Sequence, residues 1–107
     1  MKKYPGTEST GTAYYTPEQR AELHIKYEKM GKSVLSHACG DRAVHEVLNA
    51  IEAAKKALPD SKVRHHPTHC IQIAPDDLPR FAKLDVVAEV SPQFVFTPAF
   101  IDQMTGL

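Results

Sequence analysis

Two histidines, His37 and His69, each close a short apolar run, where an imidazole can ligate a metal, move a proton or anchor a hydrogen bond. His37 ends Ser33-Val34-Leu35-Ser36-His37, and His69 ends Lys62-Val63-Arg64-His65-His66-Pro67-Thr68-His69. Both segments read as β-strands. A long amphipathic helical pattern separates them. The strands are therefore expected to lie parallel in a right-handed βαβ unit, with both rings at the carboxyl edge of the sheet. That edge is where α/β folds place their chemistry.

Cys39 and Cys70 stand close behind these histidines. Together His37, Cys39, His69 and Cys70 offer four N and S donors of the kind tetrahedral zinc takes. The spacing is not that of a finger or a ribbon, and along a regular strand Cys70 points away from His69. The competing expectation is two small, half-buried apolar cysteines. His65 and His66 are adjacent, so in a strand they face opposite sides, and a solvated or structural role is expected for them. His24 and His45 fall on helical segments and are expected on the solvent side. Asp76 and Asp77 open a helix, where acidic groups complement the dipole. No Ser-His-Asp order, glycine-rich phosphate loop or heptad repeat is present.

The elements that must position these residues follow from periodicity and caps. Residues 1–15, rich in Gly, Thr, Ser and Tyr, read as a loop or disordered lead-in, and residues 16–107 as the folded domain. Thr16-Pro17-Glu18-Gln19 has the form of a capping box with proline at the first helical position. Leu23, Tyr27 and Met30 supply an apolar stripe there, and Gly31 a stop. After the strand ending at His37, Asp41 is an N-cap candidate for a helix over 42–58. Val44, Val47, Leu48, Ile51, Ala54 and Leu58 form its apolar face, with Glu46, Glu52, Lys55 and Lys56 outside it. Pro67 within the second strand suits an edge or a bulge, because proline lacks a ladder donor. A short helix after Pro75-Asp76-Asp77, with Pro79 in its first turn, turns Leu78, Phe81 and Leu84 to the sheet. A third strand, Val86–Val90, ends at Pro92, and the apolar tail over 93–107 has no clear period. The fold class is therefore α/β, alternating βα units on a parallel sheet. Right-handed crossovers put the helices on one face and leave the other bare, as in an arc cut from a larger barrel.

A chain of 107 residues with 13 basic and 13 acidic side chains is one domain without a global field for nucleic acid or an anionic membrane. It has no apolar run near the ~20 residues that span a bilayer. Met1-Lys2-Lys3-Tyr4-Pro5-Gly6 lacks the apolar stretch of a signal peptide. Two cysteines are too few for a disulfide framework, so a reducing, cytoplasmic setting is expected. The bare sheet face and open edges lead us to expect self-association.

The stretch His37-Ala38-Cys39-Gly40-Asp41-Arg42-Ala43, the following helix, Arg64-His65-His66-Pro67-Thr68-His69 and Asp77-Leu78-Pro79-Arg80-Phe81 together resemble the metal-dependent amidohydrolase superfamily. The branch they resemble most contains N-substituted formamide deformylases. The likeness covers about residues 16–95 and rests on three motifs in order: H-A-x-G-D-R-A, R-x-x-x-E-H and D-[IL]-x-R-[FL]. It implies a (β/α)₈ barrel whose fifth and sixth strands each give one metal-binding histidine, here His37 and His69. It also implies a divalent metal, zinc first among candidates, that lowers the pKa of its water so that hydroxide attacks a small amide- or formamide-type substrate. Asp41 and Arg42 would anchor the helix after the first ligand.

Some residues depart from the pattern. The family's His-x-His is absent, Thr68 stands in place of glutamate, Pro67 in place of an aliphatic residue, and Asp85 in place of a glycine. Aspartate tolerates the left-handed backbone a glycine would adopt. The likeness covers roughly three of eight βα units, where a barrel takes ~250 residues. These residues alone are accordingly expected not to catalyse. The alternative expectation is a non-catalytic α/β module that binds a metal or a partner protein.

Overall fold

The computed structural model of the chain describes residues 15–90. The expected lead-in over 1–15, apart from Tyr15, and the apolar tail over 93–107 lie outside the described residues. The order is α1 (Pro17–Lys29), β1 (Leu35–Ala38), α2 (Asp41–Ala57), β2 (His66–His69), a 3₁₀ turn (Pro75–Asp77), α3 (Leu78–Lys83) and β3 (Glu89–Val90). The three strands are parallel in the order β1-β2-β3, so the α/β reading holds.

Both ends of α1 form as their residues dictate. The Thr16 hydroxyl accepts from the Gln19 amide at 3.1 Å, and the Gln19 side chain accepts from the Thr16 amide at 3.0 Å. Such a cap contributes about 1 kcal/mol. At the other end Gly31 takes φ +71°, and the amides of Gly31 and Lys32 donate back to the carbonyls of Glu28 and Tyr27. This paired arrangement needs a left-handed residue, which glycine adopts without cost. The face that α1 buries is not the expected one. Leu23 and Tyr27 are half-buried and Met30 is exposed, whereas His24 and Glu28 point inward.

α2 is the central pillar. Val44, Val47, Leu48, Ile51 and Ala54 are fully buried, and Ala50 nearly so. Of these, Val44, Val47, Leu48 and Ile51 meet Ala38, Cys70, Leu84 and Val86 in one core beneath the sheet, and truncating Leu48 there to alanine should cost about 2–5 kcal/mol. Leu58 leaves the helix at φ −130° and stays half-buried. Asp41 is the first helical residue, not the cap. Gly40 takes the cap position, and the Asp41 carboxylate accepts from the Arg42 amide at 2.7 Å. Lys55, expected outside the apolar face, is drawn inward to Glu28 and the Val63 carbonyl.

The proline in β2 sits in the central strand, not at an edge. The amides of His66 and Cys70 donate to the carbonyls of Val34 and Ala38, so alternate amides of β2 face β1. Pro67 falls between them, and its missing N–H belongs to the β3 side. There the pairing is short, beginning at Thr68↔Glu89. The missing donor falls between the Val87–His65 backbone bond and the first full pairing, and it interrupts the ladder there. β3 is accordingly two residues long rather than the five expected, although Val86 still reaches the core and the Val87 amide donates to the His65 carbonyl at 3.2 Å. Asp85 takes φ +52°, the left-handed conformation anticipated at this position. In α3, Leu84 is buried and Phe81 packs on the core, but Leu78 is exposed. Asp77 turns inward in its place. No described helix is long and apolar enough to cross a membrane.

Candidate active site

The register assigns the faces. Leu35 lies beside His66, His37 beside Thr68, and Thr68 beside Glu89. Residues paired in parallel register share a face, and the face alternates along each strand. Leu35, His37, His66, Thr68 and Glu89 therefore share one face. Ser36, Ala38 and Pro67 share the other, which α2 covers through Ala38.

His37 and His69 meet, as their positions at the strand ends suggested. Nδ1 of His37 lies 2.8 Å from Nε2 of His69, with ring centroids 5.0 Å apart and planes 21° from parallel. Simple alternation would have sent His69 to the covered face beside its register partner Ala38. The backbone prevents this: His69 takes φ +74° and Cys70 φ +46°, two successive left-handed residues that are not glycine. Each such residue costs roughly 1–3 kcal/mol and persists only where its surroundings hold it. The strain accompanies the meeting of the two rings.

Beside this pair lies a second contact. Nδ1 of His66 is 2.7 Å from Oε1 of Glu89, with the two side chains 30% and 42% exposed. Sequence reasoning missed it. The available signal was a lone carboxylate in Val86-Val87-Ala88-Glu89-Val90, at the parity that places it with His66.

The cysteines do not complete a metal site. No group of three or more His, Cys, Asp or Glu side chains among the described residues converges on one point. Cys70 is buried, with Sγ 3.5 Å from the Pro67 carbonyl oxygen, and Cys39 is half-buried. Burial pushes both thiols up, Cys70 to about 11 with the neighbouring Cys39 adding to it. Both stay protonated at neutral pH, as small apolar residues would.

Of the other histidines, His24 and His45 were expected at the solvent and His65 in a solvated or structural role, and all three are engaged. His24 is fully buried under α1, with Nδ1 2.8 Å from the Arg20 carbonyl oxygen. His65 is buried too. Its Nδ1 accepts from the Val34 amide at 3.1 Å, which leaves Nε2–H to donate to Glu28 Oε2 at 2.8 Å. His45 is 41% exposed, yet its Nδ1 meets both oxygens of Asp77 at 3.0 Å. Asp77 also accepts from Arg80 at 3.0 Å, and Arg80 reaches Asn49 at 2.8 Å. Asp77 thus does more than complement a dipole: the Asp77-Leu78-Pro79-Arg80 segment latches the third βα unit onto α2. The motif residue Arg42 pairs with Glu46 one helical turn on, at 2.7 Å. A cleft of about 590 Å³ opens among Glu28, Gly31, Leu58, Ser61 and Val63, and none of the open-face histidines lines it.

The open face thus carries paired imidazoles at the carboxyl ends of parallel strands, followed by a helix latched through Asp77 and Arg80. This arrangement accords with a comparison of the whole chain, which matches the model of the amidohydrolase family over residues 1–106. The chain belongs to the amidohydrolase family. It is also 30% identical over 89 residues to Protein LONG AFTER FAR-RED 3 of Arabidopsis thaliana, a match covering 83% of this chain and 15% of that relative's length. No solved structure matches this amidohydrolase-family chain.

Proposed function

We propose that this chain forms an arc of a (β/α)₈ barrel in a metal-dependent amidohydrolase of the N-substituted formamide deformylase-like branch. In this reading His37 and His69 hold one divalent metal, with zinc the first expectation, and the enzyme hydrolyses non-peptide C–N bonds of small amide-type substrates. The observation that carries the reading is the 2.8 Å approach of His37 Nδ1 to His69 Nε2 on the open face. Tetrahedral zinc with Zn–N bonds of about 2.0–2.1 Å separates two ligand nitrogens by about 3.3 Å. A small ring rotation therefore opens the pair to admit an ion. When bound, the metal supplies Lewis acidity that makes a water nucleophilic toward the amide-type carbon.

The chain's own residues do the rest. The left-handed turn at His69 aims its ring across the strand end, and the α2 core beneath Ala38 fixes β1. Catalytic zinc normally takes three protein ligands, so the reading assigns the remaining donor to residues outside 15–90. Titration of the chain with cobalt(II), followed by its visible spectrum and by calorimetry, tests the proposal. One ion per chain, lost in both His37→Ala and His69→Ala, is expected. Unchanged binding in either variant would overturn it.

A further inference from the structure

We propose that His66 is the proton-transfer residue of this open face and that Glu89 positions it. The Glu89 carboxylate can only accept, so the 2.7 Å contact requires Nδ1 of His66 to carry the hydrogen. That leaves Nε2 with its lone pair and no partner among the described residues. A carboxylate on one ring nitrogen fixes the tautomer and leaves the other nitrogen's lone pair to accept a proton, which is the logic of acid–base dyads.

Position supports the role. His66 pairs in register with Leu35, two residues before His37 on the neighbouring strand, and both rings share the face that no described helix covers. Strand spacing and rise place their Cα atoms about 8 Å apart, room for a small substrate between them. The other titratable groups at this face are Glu89, His37 and His69. Arg64, just upstream, is tied to Asp85 at 3.2 Å.

For its substrate the proposal rests on the amidohydrolase reading; the dyad and its tautomer stand without it. Nε2 takes one proton from the attacking water as the oxygen bonds to the amide carbon. The same proton passes to the leaving nitrogen as the C–N bond breaks, giving acid and amine and returning the ring to its neutral form.

The test uses the whole chain labelled with ¹⁵N in its histidine rings. Long-range ring correlations at pH 8 should show His66 as the Nδ1–H tautomer, and Glu89→Gln should shift it toward Nε2–H. Without metal, the imidazole-dependent hydrolysis of p-nitrophenyl acetate should fall at least about threefold in His66→Gln, since acid–base catalysis is worth far more than that in a completed site. An Nε2–H ring in the unmodified chain, a tautomer indifferent to Glu89→Gln, or an unchanged ester rate in His66→Gln would each overturn the proposal. Cobalt titration keeps the two readings apart. His66→Gln should still bind the ion, and a failure of metal binding to depend on His37 removes the metal reading while the tautomer still decides the dyad.

Discussion

The two faces of one small sheet use the same side chain in opposite ways. Beneath α1, His65 is fully enclosed and both its nitrogens are satisfied, one by the Val34 amide and one by Glu28. Glu28 in turn accepts from Lys55 at 3.0 Å, so a buried carboxylate is matched on both oxygens. On the open face, His37 meets only another imidazole through Nδ1, and His66 spends one nitrogen on Glu89. A saturated imidazole can hold a structure together but has nothing to offer a ligand. A half-satisfied imidazole on an open face can do the reverse. Partner count and burial, not residue type, separate the structural set from the chemical one.

The comparison breaks most visibly at Glu28. Removing one partner of a buried charged pair strands the others, which typically costs about 3–5 kcal/mol. Glu28→Ala should lower stability by that amount in urea unfolding, whereas His37→Ala should change it by less than about 0.5 kcal/mol, as for an exposed side chain. Equal effects in the two variants would mean that the faces do not differ in the way argued.

Acid should reveal the same asymmetry. Burial pushes His24 below its ordinary value of 6.5, with the nearby charges of His65 and Arg20 adding to the effect against the Arg20 carbonyl bond. Its Nε2 has no partner and is shut off from solvent. The unfolded chain takes up this proton near pH 6.5 and the folded chain resists it, so stability falls as pH drops below about 6.5 toward the folded value. Glu28 adds a second, lower limb. Burial alone would raise its carboxyl, but hydrogen bonds from His65, Ser61 and Lys55 and the Lys55 charge hold it below its ordinary 4.5. That contribution is present above about pH 4.5 and disappears as pH falls through the lowered value. Urea midpoints at pH 7.5 and 5.5 should differ in the native chain and converge in His24→Leu. A persistent difference would remove His24 as the source.

These contrasts explain how much was legible in the sequence. The helix at α2, the caps at Thr16 and Gly31, the parallel strands and the placing of His37 and His69 at one sheet edge follow from local patterns (apolar spacing, capping chemistry and handed crossovers), whereas the left-handed turn that brings the two rings together does not. What escaped was set by tertiary pairing. His24 and Glu28 on a helix look solvent-facing until His65, just before β2, and Lys55 of α2 pack against them. Glu89 shows locally only as a lone carboxylate in an apolar strand, and gains meaning through a two-residue pairing with β2. Pro67 looked like an edge residue because a missing donor is costly in a central strand, and here it shortens the pairing with β3. Asp77 looked like a helix-dipole complement; Arg80 lies one turn on, but the His45 contact comes from α2, far away in sequence.

On the chemical face, a smaller effect sharpens the contrast. His69→Ala should abolish cobalt binding while lowering stability only modestly, because the ring it removes is partly exposed on the open face. The ring's contact with His37 is lost, but alanine still sits at φ +74° and keeps the backbone strain. Calorimetric titration beside urea unfolding separates the two, and a loss of several kcal/mol would recast His69 as structural.

His69→Gly isolates the strain itself. Glycine adopts positive φ about as readily as negative, so replacing a residue held at φ +74° removes a local cost of roughly 1 kcal/mol or more. Glycine also leaves a freer unfolded chain, which returns part of that gain. The net should be a chain as stable as the native one, or more stable by up to about 1 kcal/mol, that no longer binds cobalt. If the glycine variant is instead clearly less stable than His69→Ala, the left-handed turn is not strained and the ring is not held against its backbone preference. If it is more stable, the fold maintains an unfavourable conformation in order to bring Nε2 of His69 to Nδ1 of His37. Strain kept on the face where the paired imidazoles lie, opposite a buried network in which His65 and Lys55 match both oxygens of Glu28, is the mark of a position shaped for chemistry rather than for stability.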